Sequence, residues 1–293
     1  MRRLLLSASL FITLATPAFA GVNAVATLPW IGSLAHEIGK DKVNVTVLLK
    51  PSQDAHTIEA KPSMILAARK ADIIMYDGLD LEIGYLPLII ESSKNPKLMP
   101  GKSGNFDCSQ FITALEKPTT VDRSMGDVHP LGNPHYHFSP SRVLRVAEGM
   151  ARLIADVDQA NADFYLANYK AFAERVKAKQ VEWRAVPLSG KKYVAYHKYF
   201  EYLASEFGLQ IIGYMEPKPG IPPSAAHIEE LIDLMKKEKP DAILVTPAIG
   251  REEAQALSSK TGARVIVLPH DVGSLEGTGD LISFWDKIVS LLK

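Results

Sequence analysis

The stretch Val43-Asn44-Val45-Thr46-Val47-Leu48-Leu49 decides the fold. Branching at Cβ suits a pleated sheet and is disfavoured in a helix, so this run predicts a strand. Pro51-Ser52-Gln53-Asp54 ends it. Ser63 to Lys70 then reads as a helix, and Ala71 to Tyr76 is an apolar run short enough for a buried strand. Upstream, Val22 to Leu28 predicts a strand and Ile31 to about Ile38 a helix. Downstream, a helix runs to about Ser92, with Pro87 in its first turn, where a missing N–H is harmless. Alternating strands and helices imply a parallel sheet flanked by helices. From about Asn95 to Pro140 the chain is rich in Gly, Pro and Asn and is expected to be mostly loop with short strands.

Ser139-Pro140-Ser141 marks a helix start, followed at helical spacing by Val143, Val146, Met150, Leu153 and Ile154. Asp158 is expected to cap a longer helix carrying Phe164, Tyr165, Tyr169, Phe172 and Val176 and ending near Trp183. Some 25 residues would span roughly 38 Å, enough to bridge two lobes. Its aromatic stripe reads as packing. After Pro187 the alternation resumes, with strands at Tyr193–Tyr196, Leu209–Tyr214, Ala242–Val245 and Arg264–Leu268. Helices are expected at Tyr199–Phe207, Ala226–Lys237, Glu252–Thr261 and Asp280–Leu292. The expected fold class is therefore α/β: two parallel-sheet lobes joined by a long rigid helix. Residues 21–139 would form the N-terminal lobe, 140–186 the inter-lobe helical segment and 187–293 the C-terminal lobe.

Residues 1–20 read as a signal peptide. Arg2 and Arg3 precede an apolar stretch, Leu4 to Leu14, and Ala18-Phe19-Ala20 supplies a small-x-small cleavage pattern. The apolar stretch is shorter than the roughly 20 residues of a membrane span. No Cys follows the cleavage site, which argues against a lipid anchor there. A soluble exported protein, periplasmic in location, is the expectation. Without the leader, 31 basic residues face 33 acidic ones, and no basic run suggests nucleic acid. The single cysteine, Cys108, excludes an intramolecular disulfide and any cysteine-rich metal site.

The chemistry lies in eight histidines: His36, His56, His129, His135, His137, His197, His227 and His270. His56 follows the second strand, His197 follows a C-lobe strand, and His270-Asp271 follows the last one. Ligands of open α/β sheets bind beyond the carboxyl ends of strands. Three strand exits in two lobes thus deliver imidazole or carboxylate towards one cleft, and His135 enters from the inter-lobe junction. Imidazole plus carboxylate is a set suited to zinc. His36 and His227 read as exposed helix residues. His36-Glu37-Ile38-Gly39-Lys40 begins like a zinc-protease motif but has Lys40 where the second histidine belongs. An exported metal-dependent hydrolase, or an adhesin or interaction domain on the same fold, is the alternative class.

The mature chain resembles the periplasmic metal-binding proteins of zinc and manganese ABC importers, the cluster A-I, zinc-uptake and TroA-like group. Pro51 to Glu59 (PSQDAHTIE) is similar to the family's first ligand loop and Gly78-Leu79-Asp80-Leu81-Glu82 to its glycine-leucine-x-x-glutamate turn. Asn133 to Pro140 (NPHYHFSP), Tyr196-His197-Lys198-Tyr199-Phe200 and Asp271-Val272-Gly273-Ser274 resemble the later ligand segments. The resemblance implies a non-enzymatic carrier with the metal site at the lobe interface and His56, His135, His197 and Asp271 as ligands. It also implies a divalent cargo, delivery to a membrane permease, and a monomer. Zinc is the expected ion because the shell is nitrogen-rich, with manganese left open. His137 competes with His135, and His270 with Asp271; His129 and His137 are candidates for an auxiliary site. Asn133 departs from the family's usual aspartate, and the long histidine-rich loop of many zinc-uptake members is absent.

Overall fold

The computed structural model describes residues 21–119 and 129–293. The expected signal peptide lies outside them. Two four-stranded sheets are present, both wholly parallel. In the first, β1 (Val22–Ala26), β2 (Val43–Val47), β3 (Ile73–Tyr76) and β4 (Asn105–Asp107) lie in the order β2-β1-β3-β4. In the second, β5 (Lys192–Ala195), β6 (Gln210–Tyr214), β7 (Ala242–Val245) and β8 (Val265–Val267) lie in the order β6-β5-β7-β8. The two orders are the same topology used twice. Register is set by pairs such as Ala24 with Val45 and Ile73, and Val194 with Ile243. Ile73, Ile74 and Met75 and all of Ala242–Val245 are buried, as expected of central parallel strands.

In the first half α1 (Pro29–Gly39), α2 (Pro62–Lys70) and α3 (Leu86–Ser93) connect the strands. Next come α4 (Pro140–Val157) and α5 (Ala162–Arg184), then α6 (Glu201–Phe207), α7 (Ala225–Glu238), α8 (Arg251–Thr261) and α9 (Leu281–Leu292). Ser139 caps α4 by accepting from the Arg142 N–H, and Gly208, with φ 73°, ends α6 in the left-handed region. The cap of α5 differs from expectation. A short 3-10 turn, Gln159–Asn161, intervenes, so the Asp158 carboxylate instead accepts from Asn161 Nδ2 (2.8 Å) and the Tyr165 hydroxyl (2.6 Å). At 23 residues α5 spans about 35 Å.

One apolar core runs through both halves. Trp30, Ile31 and Leu34 of α1, Val146 and Met150 of α4, Phe172 and Val176 of α5, and Phe284, Trp285 and Ile288 of α9 all belong to it. Polar ties cross the same seam: Trp285 Nε1 donates to the His137 carbonyl (2.9 Å) and Asn168 Nδ2 to the Ile38 carbonyl (2.9 Å). Opening this seam would expose apolar surface at about 25 cal/mol per Å2. A smaller core, including Val194, Met215, Leu231 and Ile243, fills the other face of the second sheet.

Candidate metal centre

The carboxyl ends of both sheets face the seam. His56 sits in a short 3-10 turn (Ala55–Thr57) nine residues beyond β2, and His197 two residues beyond β5. His135 immediately precedes the 3-10 turn Tyr136–Phe138 that leads into α4. One potential ligand atom from each of His56, His135 and His197 falls within 4.8 Å of the others, two of the rings buried and His56 partly so.

Two of the three rings are aimed by carboxylates. His56 Nδ1 lies 2.7 Å from Asp54 Oδ1, and His197 Nδ1 lies 2.7 Å from Glu216 Oε2. A carboxylate on Nδ1 fixes the ring and leaves Nε2 with its lone pair towards the site. Asp54 also accepts from the His56 backbone N–H (3.0 Å). Burial opposes its ionisation, but its hydrogen bonds to the His56 ring and backbone, with the electrostatic attraction of that ring, outweigh that and hold its carboxyl down at about 2. Among the described residues His135 Nε2 is buried without a hydrogen-bond partner, as are His137 Nδ1 and both ring nitrogens of His270, so donor atoms around one small cavity are left open. Burial, with His56 and His197 adding to it, holds His135 well below the usual imidazole range, so it is neutral. The Tyr199 ring packs 4.3 Å from His135 and 4.6 Å from His197, a spacer between them.

Asp271 is not within the 4.8 Å group, but it lines a cavity of about 30 Å3 together with His56 and His135. That volume suits one water or ion. Its carboxylate accepts from the Val272 N–H (2.6 Å), and burial pushes it up to about 8. His137 also lines that cavity, but it is held by other partners. Its ring stacks on Trp30, and Nε2 meets the His270 carbonyl at 2.9 Å, so it ties the halves together rather than joining His56 and His197. His270 lines the small cavity. His129 lies against His56, with 3.2 Å between their Nε2 atoms, and not with His137. His227 is half-buried, its Nε2 2.9 Å from the Tyr214 carbonyl.

Among protein families, the one described as zinc-uptake complex component A, periplasmic (ZnuA), matches residues 24–293. The chain belongs to the ZnuA family. Members are metal-binding components of ABC importers, not enzymes. An iron-binding protein, YfeA of Yersinia pestis, is 28% identical over 250 residues, covering 83% of this chain and 75% of that protein. PsaA of Streptococcus anginosus, named as a manganese ABC transporter substrate-binding lipoprotein, is 21% identical over 244 residues, covering 82% and 77%. A crystal structure of ZnuA superposes with a TM-score of 0.76 at 25% identity, covering 93% of this chain and all of that one. No helix among the described residues is long and apolar enough to cross a membrane.

Two of the segments that carry the sequence resemblance have a visible structural role here. In the glycine-leucine turn, Leu79 and Asp80 take positive φ (53° and 65°). The Glu82 carboxylate clamps that turn, accepting from the Asp77 N–H (2.7 Å), the Gly78 N–H (3.1 Å) and the Thr27 hydroxyl (2.7 Å). Asn133 has a clear reason to be an amide. Its Oδ1 accepts from the His135 N–H (2.9 Å). Its Nδ2 faces Glu116 Oε2 (3.1 Å), the Lys198 carbonyl (2.8 Å) and Glu201 Oε2 (3.2 Å). A carboxylate there would meet three acceptors with no donor. Asn133→Asp should therefore cost about 1–3 kcal/mol at pH 7.5, less at pH 5. Thermal melts at the two pH values check this; equal melting temperatures to wild type at both would refute it.

Proposed function

We propose that the protein captures zinc outside the cytoplasmic membrane and hands it to the permease of an ABC importer. His56, His135, His197 and Asp271 hold the ion, and the working form is a monomer from which residues 1–20 have been removed. The observation that carries this reading is the convergence of three imidazoles, two of them oriented by carboxylates, beside a buried acid. Three neutral rings and one carboxylate around a divalent ion leave a net charge of +1. Such a nitrogen-rich shell favours zinc over the harder manganese, and the first-row affinity order points the same way. The cargo is exchanged rather than consumed: no general base or substrate cleft is needed, only four donors and a means of parting them. Because the apolar core is shared by both halves, release is by local movement of ligand loops rather than wide hinge opening.

Competition tests the metal. The chain from Gly21 should bind one zinc, and zinc at about a tenth of the manganese concentration should displace bound manganese. Manganese retained against equimolar zinc would overturn the choice of cargo; no bound metal of either kind would overturn the ligand set.

A further inference from the structure

A pocket of about 570 Å3 lies at the carboxyl ends of β3 and β4, which contribute Tyr76 and Asp107 to it. Its walls are mainly apolar: Leu79, Ile83, Leu86, Ile90, Met99 and Leu131. Residues 86, 87, 90 and 91 are spaced to give it one face of α3. Ile83, Met99 and Leu131 are 66, 44 and 48% exposed, so the apolar lining continues onto the protein surface. Single exposed apolar side chains need no explanation, but several gathered around one pocket mark a place where something docks.

Charge narrows the occupant. Asp80, Glu91 and Asp107 line the same pocket, and no lysine, arginine or histidine does. None of these three acids has an ion-pair partner among the described residues. Asp107 accepts from the Ser109 N–H (2.9 Å) and hydroxyl (2.6 Å), neutral donors that leave its charge uncancelled. A complementary surface is therefore apolar with basic groups beside it.

Position narrows it further. Leu79, Asp80 and Ile83 line the pocket, whereas Leu81, in the same turn, lines the small cavity beside His135 and Asp271. Leu131 lies four residues before His135. One turn of chain thus separates the pocket from the metal centre, and a permease that receives the ion has to come close to that centre. We infer that this pocket is where the first half of the protein docks on the permease of its importer. A permease segment seats an apolar side chain in it and brings lysine or arginine to Asp80, Glu91 and Asp107.

This inference rests on the importer reading above. Uptake of radioactive zinc at limiting concentration tests it, in cells whose own copy of the gene carries each substitution, beside the purified chain from Gly21. Ile83→Asp and Glu91→Lys should each lower uptake about tenfold or more. Their Kd for zinc, from chelator competition, should change less than about twofold, since neither residue lines the metal cavity. Met99→Asp should act in the same way, so the result does not hang on one variant. Val181→Asp is the contrast: Val181 is 73% exposed on α5, outside the pocket, and its variant should keep uptake within about twofold of wild type. Wild-type uptake in the pocket variants, uptake falling only in step with zinc affinity, or an equal loss in Val181→Asp would overturn the inference. So would a wild-type dimer, seen by sedimentation velocity, that Ile83→Asp makes monomeric, because the occupant would then be a second copy. Failure of the importer reading itself looks different: deleting the whole gene would then leave zinc uptake unchanged.

Discussion

A His197→Ala variant should lose its zinc-dependent thermal shift. In the wild-type chain, zinc at 100 times Kd adds about 2.7 kcal/mol to stability, or about 5–10 °C in melting temperature for a chain of this size. His197 supplies one of three ligand atoms within 4.8 Å of each other, and its Nδ1 is committed to Glu216, so truncating it removes one of the three convergent nitrogens. The truncation also leaves the Glu216 carboxylate with only a long bond from the Gly220 N–H (3.3 Å), which is itself destabilising by about 1–3 kcal/mol. The shift must therefore be read against the variant's own metal-free melting temperature. Glu216→Gln keeps the ring but weakens its basicity and orientation, and should cost about 10–100-fold in affinity. His137→Ala supplies the contrast: its ring stacks on Trp30 and reaches the His270 carbonyl, so the variant should be less stable yet keep the full zinc shift. A full shift in His197→Ala, or none in His137→Ala, would redraw the site.

The reason both histidines of Asn133-Pro134-His135-Tyr136-His137 were plausible from sequence is that spacing does not give direction. Only the 3-10 turn starting at Tyr136 sends the two rings to different neighbours. The strands, by contrast, were legible because parallel strands buried on both faces are short, unbroken apolar runs, as Ile73–Tyr76 and Ala242–Val245 are. β4 is harder to see: in Asn105–Asp107 only Phe106 is buried, and the partner strand does the rest. What sequence concealed at the site were the supporting groups. Asp54 stands two residues before His56 and so had a local signal. Glu216 lies 19 residues from His197, and Tyr199 read simply as part of a helix; folding alone brings them to the rings. The hydrogen bond that Asp158 accepts from the Tyr165 hydroxyl is hidden for a similar reason, since a carboxylate before a helix usually caps it.

Asp271→Asn should move stability and affinity in opposite directions. In the metal-free fold, burial holds the Asp271 carboxyl at about 8, against about 3.9 in an unfolded chain. The folded state therefore keeps a proton that the unfolded state gives up. This contribution to stability is whole below pH 4 and is lost progressively as pH rises towards 8. By pH 7 the loss is up to about 4 kcal/mol. Asparagine has the shape of the protonated acid, can still accept from the Val272 N–H and has no proton to lose. The metal-free variant should then melt up to about 8–16 °C above wild type at pH 7 and close to it at pH 4. Zinc reverses the balance, because the ion takes the place of the proton. Binding to wild type should release about one proton at pH 7 and almost none at pH 9, which calorimetry in buffers of different ionisation enthalpy would show. Without the charged ligand, the variant should bind zinc at least about 100-fold more weakly and release no proton at pH 7. A variant no more stable than wild type, with unchanged zinc affinity, would remove Asp271 from the shell. The expected outcome instead makes the instability of the empty site the counterpart of its affinity: the buried acid is tolerated in the fold because an arriving cation discharges it.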